Sequence, residues 1–231
     1  MTTDAVTART DRTTSALADV VRSRGTPFLV AAVAFFVGSG VLTQSGQPGA
    51  STPVPWLVSH AVWVVATAFV AVGVFRLVRD AAELRTGTAG DAAGSLFGLA
   101  VLHALQWTSW VYVDVVAYRQ GSHELLSPPV LHPFGTVHMF VFAILVGSGV
   151  ATLAWALART DLTGRALPWL GVAVGMLTAL AAAVALLTFA EVRTPASLAT
   201  ILLQAASFAW LGLLGVAIVR ARPETDPEES A

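Results

Sequence analysis

The sequence predicts an all-α fold: a polytopic integral membrane bundle of six transmembrane helices, with the N- and C-termini cytoplasmic. Three observations predict it. The 231 residues are 55% hydrophobic and only 12% charged, where a soluble domain carries about 25% charged residues. With a mean hydropathy of +0.72, such a chain cannot cover a water-facing surface. The apolar residues are gathered into six runs, each close to the roughly 20 residues a helix needs to cross a bilayer. Between these runs, the arginines alternate sides unevenly.

The runs fall at 27–45, 54–75, 93–117, 132–157, 167–190 and 195–219. No Asp, Glu or Arg lies inside any of them except Asp114, near the end of the third. Each reads as apolar around its whole circumference, as expected of a helix bathed in lipid. Helix punctuation marks their starts. Thr52–Pro53 and Thr194–Pro195 place a capping hydroxyl before an early proline, and His132–Pro133 opens the fourth span in a similar way. Asp91 or Ser95 caps the third. The first span is followed by small residues, GQPGAST, as a signal sequence would be, but its polar leader is long for a signal n-region.

With the N-terminus inside, Arg9, Arg12, Arg22, Arg24, Arg76, Arg79, Arg85, Arg159, Arg165, Arg220 and Arg222 are cytoplasmic, and only Arg119 and Arg193 are outside. This is the direction of the positive-inside rule. The chain thus divides into a cytoplasmic tail (1–26), a transmembrane domain (27–219) and an acidic, disordered tail (220–231). TSALADVVRSR in the first tail has the pattern of a short amphipathic helix on the inner leaflet. Arg76/Asp80 and Arg79/Glu83 are spaced four apart, so the second helix is expected to run on into the cytoplasm with salt-bridged faces. The localisation implied is the plasma membrane, multi-pass, with the lipid bilayer as the main partner. No nucleotide-binding loop or nucleic-acid footprint occurs.

Two absences exclude chemistry. Without cysteine there are no disulfides, thiolate metal sites, iron–sulfur clusters or covalent haem. Without lysine, all 13 cationic side chains being arginine, there is no Schiff base to retinal or pyridoxal.

Two short strings recur. AFFVGSGVLT (34–43) resembles AILVGSGVAT (143–152), and PWL at 55–57 returns at 168–170. If spans one to three are duplicated as four to six, the halves have opposite membrane orientation, as in many secondary transporters. Clusters such as Gly38-Ser39-Gly40 and Gly147-Ser148-Gly149 also arise simply because small residues let helices pack closely.

The candidate functional residues are histidines. His123 lies in an external loop. At about 1.5 Å rise per residue, His60 lies roughly 7 Å outside the centre of span two, and His138 about 10 Å outside the centre of span four, with His132 above it. His103 falls near the middle of span three. Asp114 lies within roughly one turn of the His60/His138 layer, and Trp63, Trp107, Trp110 and Tyr112 are close by.

Ionisable groups inside a membrane are costly and suggest function. Three readings stand open. In the first, haem b is held by His60 and His138 as axial ligands, with Trp107 and Trp110 packed on the macrocycle, in a redox or respiratory-accessory role. In the second, a divalent metal is bound by His60, His138 and Asp114. In the third, His60, His103 and His138 line a proton or solute pathway. The plainer alternative is that each neutral imidazole bonds a carbonyl or hydroxyl across a helix interface, with Ser59, Thr136 and Gln106 as available partners. His132 and His138 are six residues apart and fall on different faces of one helix, so the expected mate of His138 is His60. A small-solute or ion transporter built on an inverted repeat, or a structural or assembly subunit alongside other membrane subunits, completes the set.

Overall fold

The computed structural model describes residues 24–44, 54–81, 84, 87–119, 128–160, 162–188 and 194–221; within its helices, the side chains of 41–44, 54–56, 114, 115, 117–119 and 128–136 lie outside the description. The chain forms α1 (Thr26–Gln44), α2 (Val54–Asp80), α3 (Thr88–Arg119), α4 (Pro128–Leu157), α5 (Ala166–Leu187) and α6 (Pro195–Arg220). Five of these, α2 to α6, are long and apolar enough to cross a membrane, and α1 contains a shorter apolar stretch, Thr26–Gly40. The molecule has the build of a helical membrane protein, with large apolar side chains such as Val33, Phe75, Leu102, Met176 and Leu202 turned outward.

The helix ends follow from local chemistry. Thr194 caps α6 by accepting a hydrogen bond from Ser197 N at 3.3 Å, with Pro195 behind it in the first turn. Helix α2 runs on to Asp80, though the ion pairs seen there join Asp80 to its neighbour Arg79 and to Arg24, where the spacing of the sequence pointed to Arg76. Asp80 is held there by Arg79 at 2.8 Å and by Arg24, ahead of α1, at 3.5 Å; Glu83 lies outside the described residues. Two starts differ from the apolar runs. Helix α3 begins at Thr88, placing Asp91 in the first turn instead of at the cap, where its charge suits the helix dipole. Helix α4 begins at Pro128, before His132–Pro133, because a proline in the first turn has no backbone N–H to leave unpaired. The expectations for residues 1–23 and 222–231, for the Thr52–Pro53 cap and for His123 concern residues outside the description.

Each helix packs against its neighbours in chain order, and α6 packs back on α1, closing a ring; α4 also touches α6 across it. Neighbours are antiparallel. Gly38 meets Ser59 and Trp63 while Phe28 meets Gly73, and Gly171 meets Trp210 while Thr178 meets Ser207. The interior is filled by Phe28, Phe35, Phe97, Phe208, Trp210 and aliphatic residues, with Leu167 and Val172 of α5 packed against its edge and Ala182 and Ala185 of α5 buried against Phe140 and Ala143 of α4. Helices α4 and α5 approach most closely. A Cβ at Gly147 would stand 2.8 Å from Gly175 O and 2.7 Å from Ala179 N, so only glycine permits this backbone contact.

This ring corrects the expectation of an inverted duplication. Gly38 and Gly147 do play parallel parts, each seating the first helix of its half on the second. Around a ring followed in chain order, however, both halves wind in the same sense while α1 and α4 point oppositely. Turning one half over about an in-plane axis reverses its winding, so the halves are opposite hands and do not superpose by rotation. Of the recurring residues, Gly38, Gly147 and Gly149 sit at close helix contacts, while a Cβ at Gly40 would meet nothing within 4 Å and Trp169 and Leu170 face outward.

Candidate functional site

The histidines gather where α2, α3 and α4 meet, towards the end of the ring at which α2 and α4 begin. Helix α3 presents His103 and Trp107 on one face, four residues apart. Helix α2 contributes Ser59, His60 and Trp63, and α4 contributes His138. The Trp107 indole contacts both flanking imidazoles, with ring centroids 4.7 Å from His138 and 5.9 Å from His60. His60 also packs on Trp63 at 5.2 Å. Beneath them Phe35 stacks on Phe208 at 3.9 Å and on Trp63 at 5.9 Å, closing the floor of the layer.

The direct imidazole contact is His103 with His138. His103 Nε2 is 3.1 Å from the His138 carbonyl oxygen and 3.2 Å from His138 Nδ1, with ring centroids 4.8 Å apart. Chemistry assigns the protons. A carbonyl only accepts, so His103 Nε2 carries the hydrogen and donates it, shared with His138 Nδ1 as second acceptor. His138 is then protonated on Nε2, and His103 keeps the lone pair on Nδ1. Both rings are half-buried, whereas His60 and Ser59 are buried.

The expected pairing of His138 with His60 is therefore corrected: its mate is His103, with the Trp107 ring against both His60 and His138. A macrocycle coordinated by His60 and His138 needs an open slot between them, and the indole packed on both rings does not fit that arrangement. Trp110, expected to wall a cofactor, stands instead on the exposed flank of α3, one turn beyond Gln106 and 52% exposed. Asp114 continues α3 seven residues past Trp107, about 10 Å along the axis, two turns from the layer instead of one; its side chain is not described. Among the described residues, no three potential ligands lie together for a metal. His132 lies on α4 and its side chain is not described either. The depth estimate failed because α3 and α4 both start earlier than their apolar runs, and each earlier start moves His103 and His138 towards a common level.

The site has an opening. Between α3 and α4, on the outside of the ring, a groove of about 270 Å³ is lined by Leu99, Leu102, His103, Gln106 and Leu145.

A second polar cluster, which the reading of α6 as uniformly apolar missed, joins α5 and α6. Ser197, Thr200, Gln204 and Ser207 are all buried along one face of α6. Their 3-4-3 spacing inside an apolar run was the available signal. Thr178 Oγ1 is 2.8 Å from Val174 O, 3.0 Å from Leu203 O and 2.9 Å from Ser207 Oγ. Its single proton goes to the carbonyls, so Ser207 donates to Thr178. Trp210 Nε1 donates to Leu167 O at 2.8 Å one turn further along α6.

Comparison with family models, with curated proteins and with solved structures found no match for this chain.

Proposed function

We propose that the protein is a six-pass protein of the plasma membrane with both termini cytoplasmic, and that its α2–α3–α4 histidine layer, in the outer half of the bilayer, binds a proton. The arginine asymmetry supports the orientation. The observation that carries the activity is the double contact of His103 Nε2 with the carbonyl and Nδ1 of His138.

That geometry accepts a proton without rearrangement. The open lone pair is His103 Nδ1. Protonating it turns the neutral N–H···O bond into a charge-assisted one, which is shorter and stronger, while the donor stays where it is. His138, with its own N–H on Nε2, and Trp107 extend the layer towards His60. A purely adhesive contact between helices does not require titratable groups: Thr178 and Ser207 accomplish it with hydroxyls in the same molecule. An imidazole is also the one side chain whose ordinary titration spans neutral pH.

The test uses Trp107 as the reporter, since an imidazolium quenches an indole packed against it. In liposomes, emission should fall reversibly between about pH 8 and pH 5, the range in which imidazoles titrate. The response should vanish in Trp107→Phe and shrink in His103→Gln and His138→Gln. Emission that stays flat in the unaltered protein removes the proton reading.

A further inference from the structure

Helix α3 carries an amide where a lipid-facing helix should carry none. Gln106 is exposed on the outside of the ring and lies within roughly 8 Å of the middle of the span Thr88–Val113, well inside the hydrocarbon. A side-chain amide placed in hydrocarbon without a partner costs several kcal/mol. Among the described residues, the Gln106 amide has no hydrogen-bond partner. It lines the α3–α4 groove together with His103, whose Nε2 is committed to His138, leaving the Nδ1 lone pair. The remaining walls, Leu99, Leu102 and Leu145, are aliphatic.

We infer that this groove binds an uncharged lipid whose small head bears a hydroxyl. The Gln106 N–H₂ donates to the hydroxyl oxygen, the hydroxyl proton goes to His103 Nδ1, and the three leucines hold the apolar body. Depth selects the class. Phospholipid head groups sit at the interface, beyond the about 15 Å half-thickness of the hydrocarbon core, and a charged head brought to the level of Gln106 carries a heavy desolvation cost. A hydroquinone or an isoprenoid alcohol reaches that level with one or two polar groups and an apolar tail. This inference rests on the proton reading only through the assignment of hydrogens on His103.

The full chain in phosphatidylcholine nanodiscs is offered three probes: a decyl-substituted hydroquinone kept anaerobic, the corresponding quinone and farnesol. Retention is measured against empty nanodiscs. Saturable retention of a hydroxyl-bearing probe is expected, with the quinone, which lacks the donor proton, about tenfold weaker, as loss of one hydrogen bond implies. Retention of hydroquinone alone assigns an aromatic head; retention of farnesol alone assigns an isoprenoid alcohol. Gln106→Leu should weaken retention about tenfold with an unchanged unfolding midpoint, since the residue packs against nothing that the fold needs. Retention of neither hydroxyl-bearing probe beyond that of empty discs, quinone retained as strongly as the retained hydroxyl-bearing probe, or an unaffected Gln106→Leu variant each overturns the inference. The fluorescence titration is run without any probe, so failure of the groove and failure of the proton site are read separately.

Discussion

The two sides of the ring use polar groups in opposite ways. Between α5 and α6, Thr178 and Ser207 are fully buried and satisfied by each other and by carbonyls. Between α3 and α4, His103 and His138 are titratable and only half-buried, and they stand beside a groove that opens sideways. The Thr178–Ser207 contact is complete within the protein. The second arrangement leaves a lone pair and a neighbouring amide available to something else. The difference teaches that a polar contact between membrane helices signals chemistry when its own hydrogen-bonding capacity is left partly unused, and signals adhesion when it is not.

The largest expected effect falls on the adhesive side. Gly175→Val drives a branched side chain into the backbone of α4 at Gly147 and Ala151 and should cost about 3 kcal/mol, the upper range for overpacking. The unfolding midpoint in mild detergent should drop accordingly; an unchanged midpoint breaks the picture of a glycine-permitted contact. Next come Thr178→Val and Ser207→Ala, each costing about 1 kcal/mol as measured for hydrogen bonds between membrane helices. Because they share one bond, the double variant should cost less than the sum, and neither should alter the pH response of Trp107. Strict additivity denies the bond.

On the chemical side, His103→Leu should cost about 1 kcal/mol through the lost bond to His138 and also abolish most of the pH response. If stability falls and the response persists, the two sides do not differ in kind. Smallest is Gln106→Leu, which without any added lipid should shift stability by no more than about 0.5 kcal/mol, as for surface changes generally. A clear loss would mean that the amide serves the fold.

The all-helical architecture was legible because long apolar runs are signals that need no neighbours. The extra turns at Thr88 and Pro128 were not, since apolarity measures the hydrocarbon thickness and a helix is free to outrun it. The pairing of His103 with His138 was hidden for a different reason. A helix apolar around its whole circumference gives no clue to which face meets a neighbour, so rotation and register come only from packing. Trp107, named beforehand as a neighbour of the histidines, turned out to touch both His60 and His138. The α6 stripe was visible in the spacing of Ser197, Thr200, Gln204 and Ser207, but is easily passed over when single hydroxyls are counted as neutral.

The contact between α1 and α6, where Gly25 abuts Gly215 and Phe35 stacks on Phe208, has a consequence for biosynthesis. As the ribosome delivers the helices in order, Phe35 meets Trp63 with the second helix but must wait for the sixth before Phe208 stacks on it. Until then lipid or an insertion chaperone has to shield it, and a chain halted after α5 remains an open crescent.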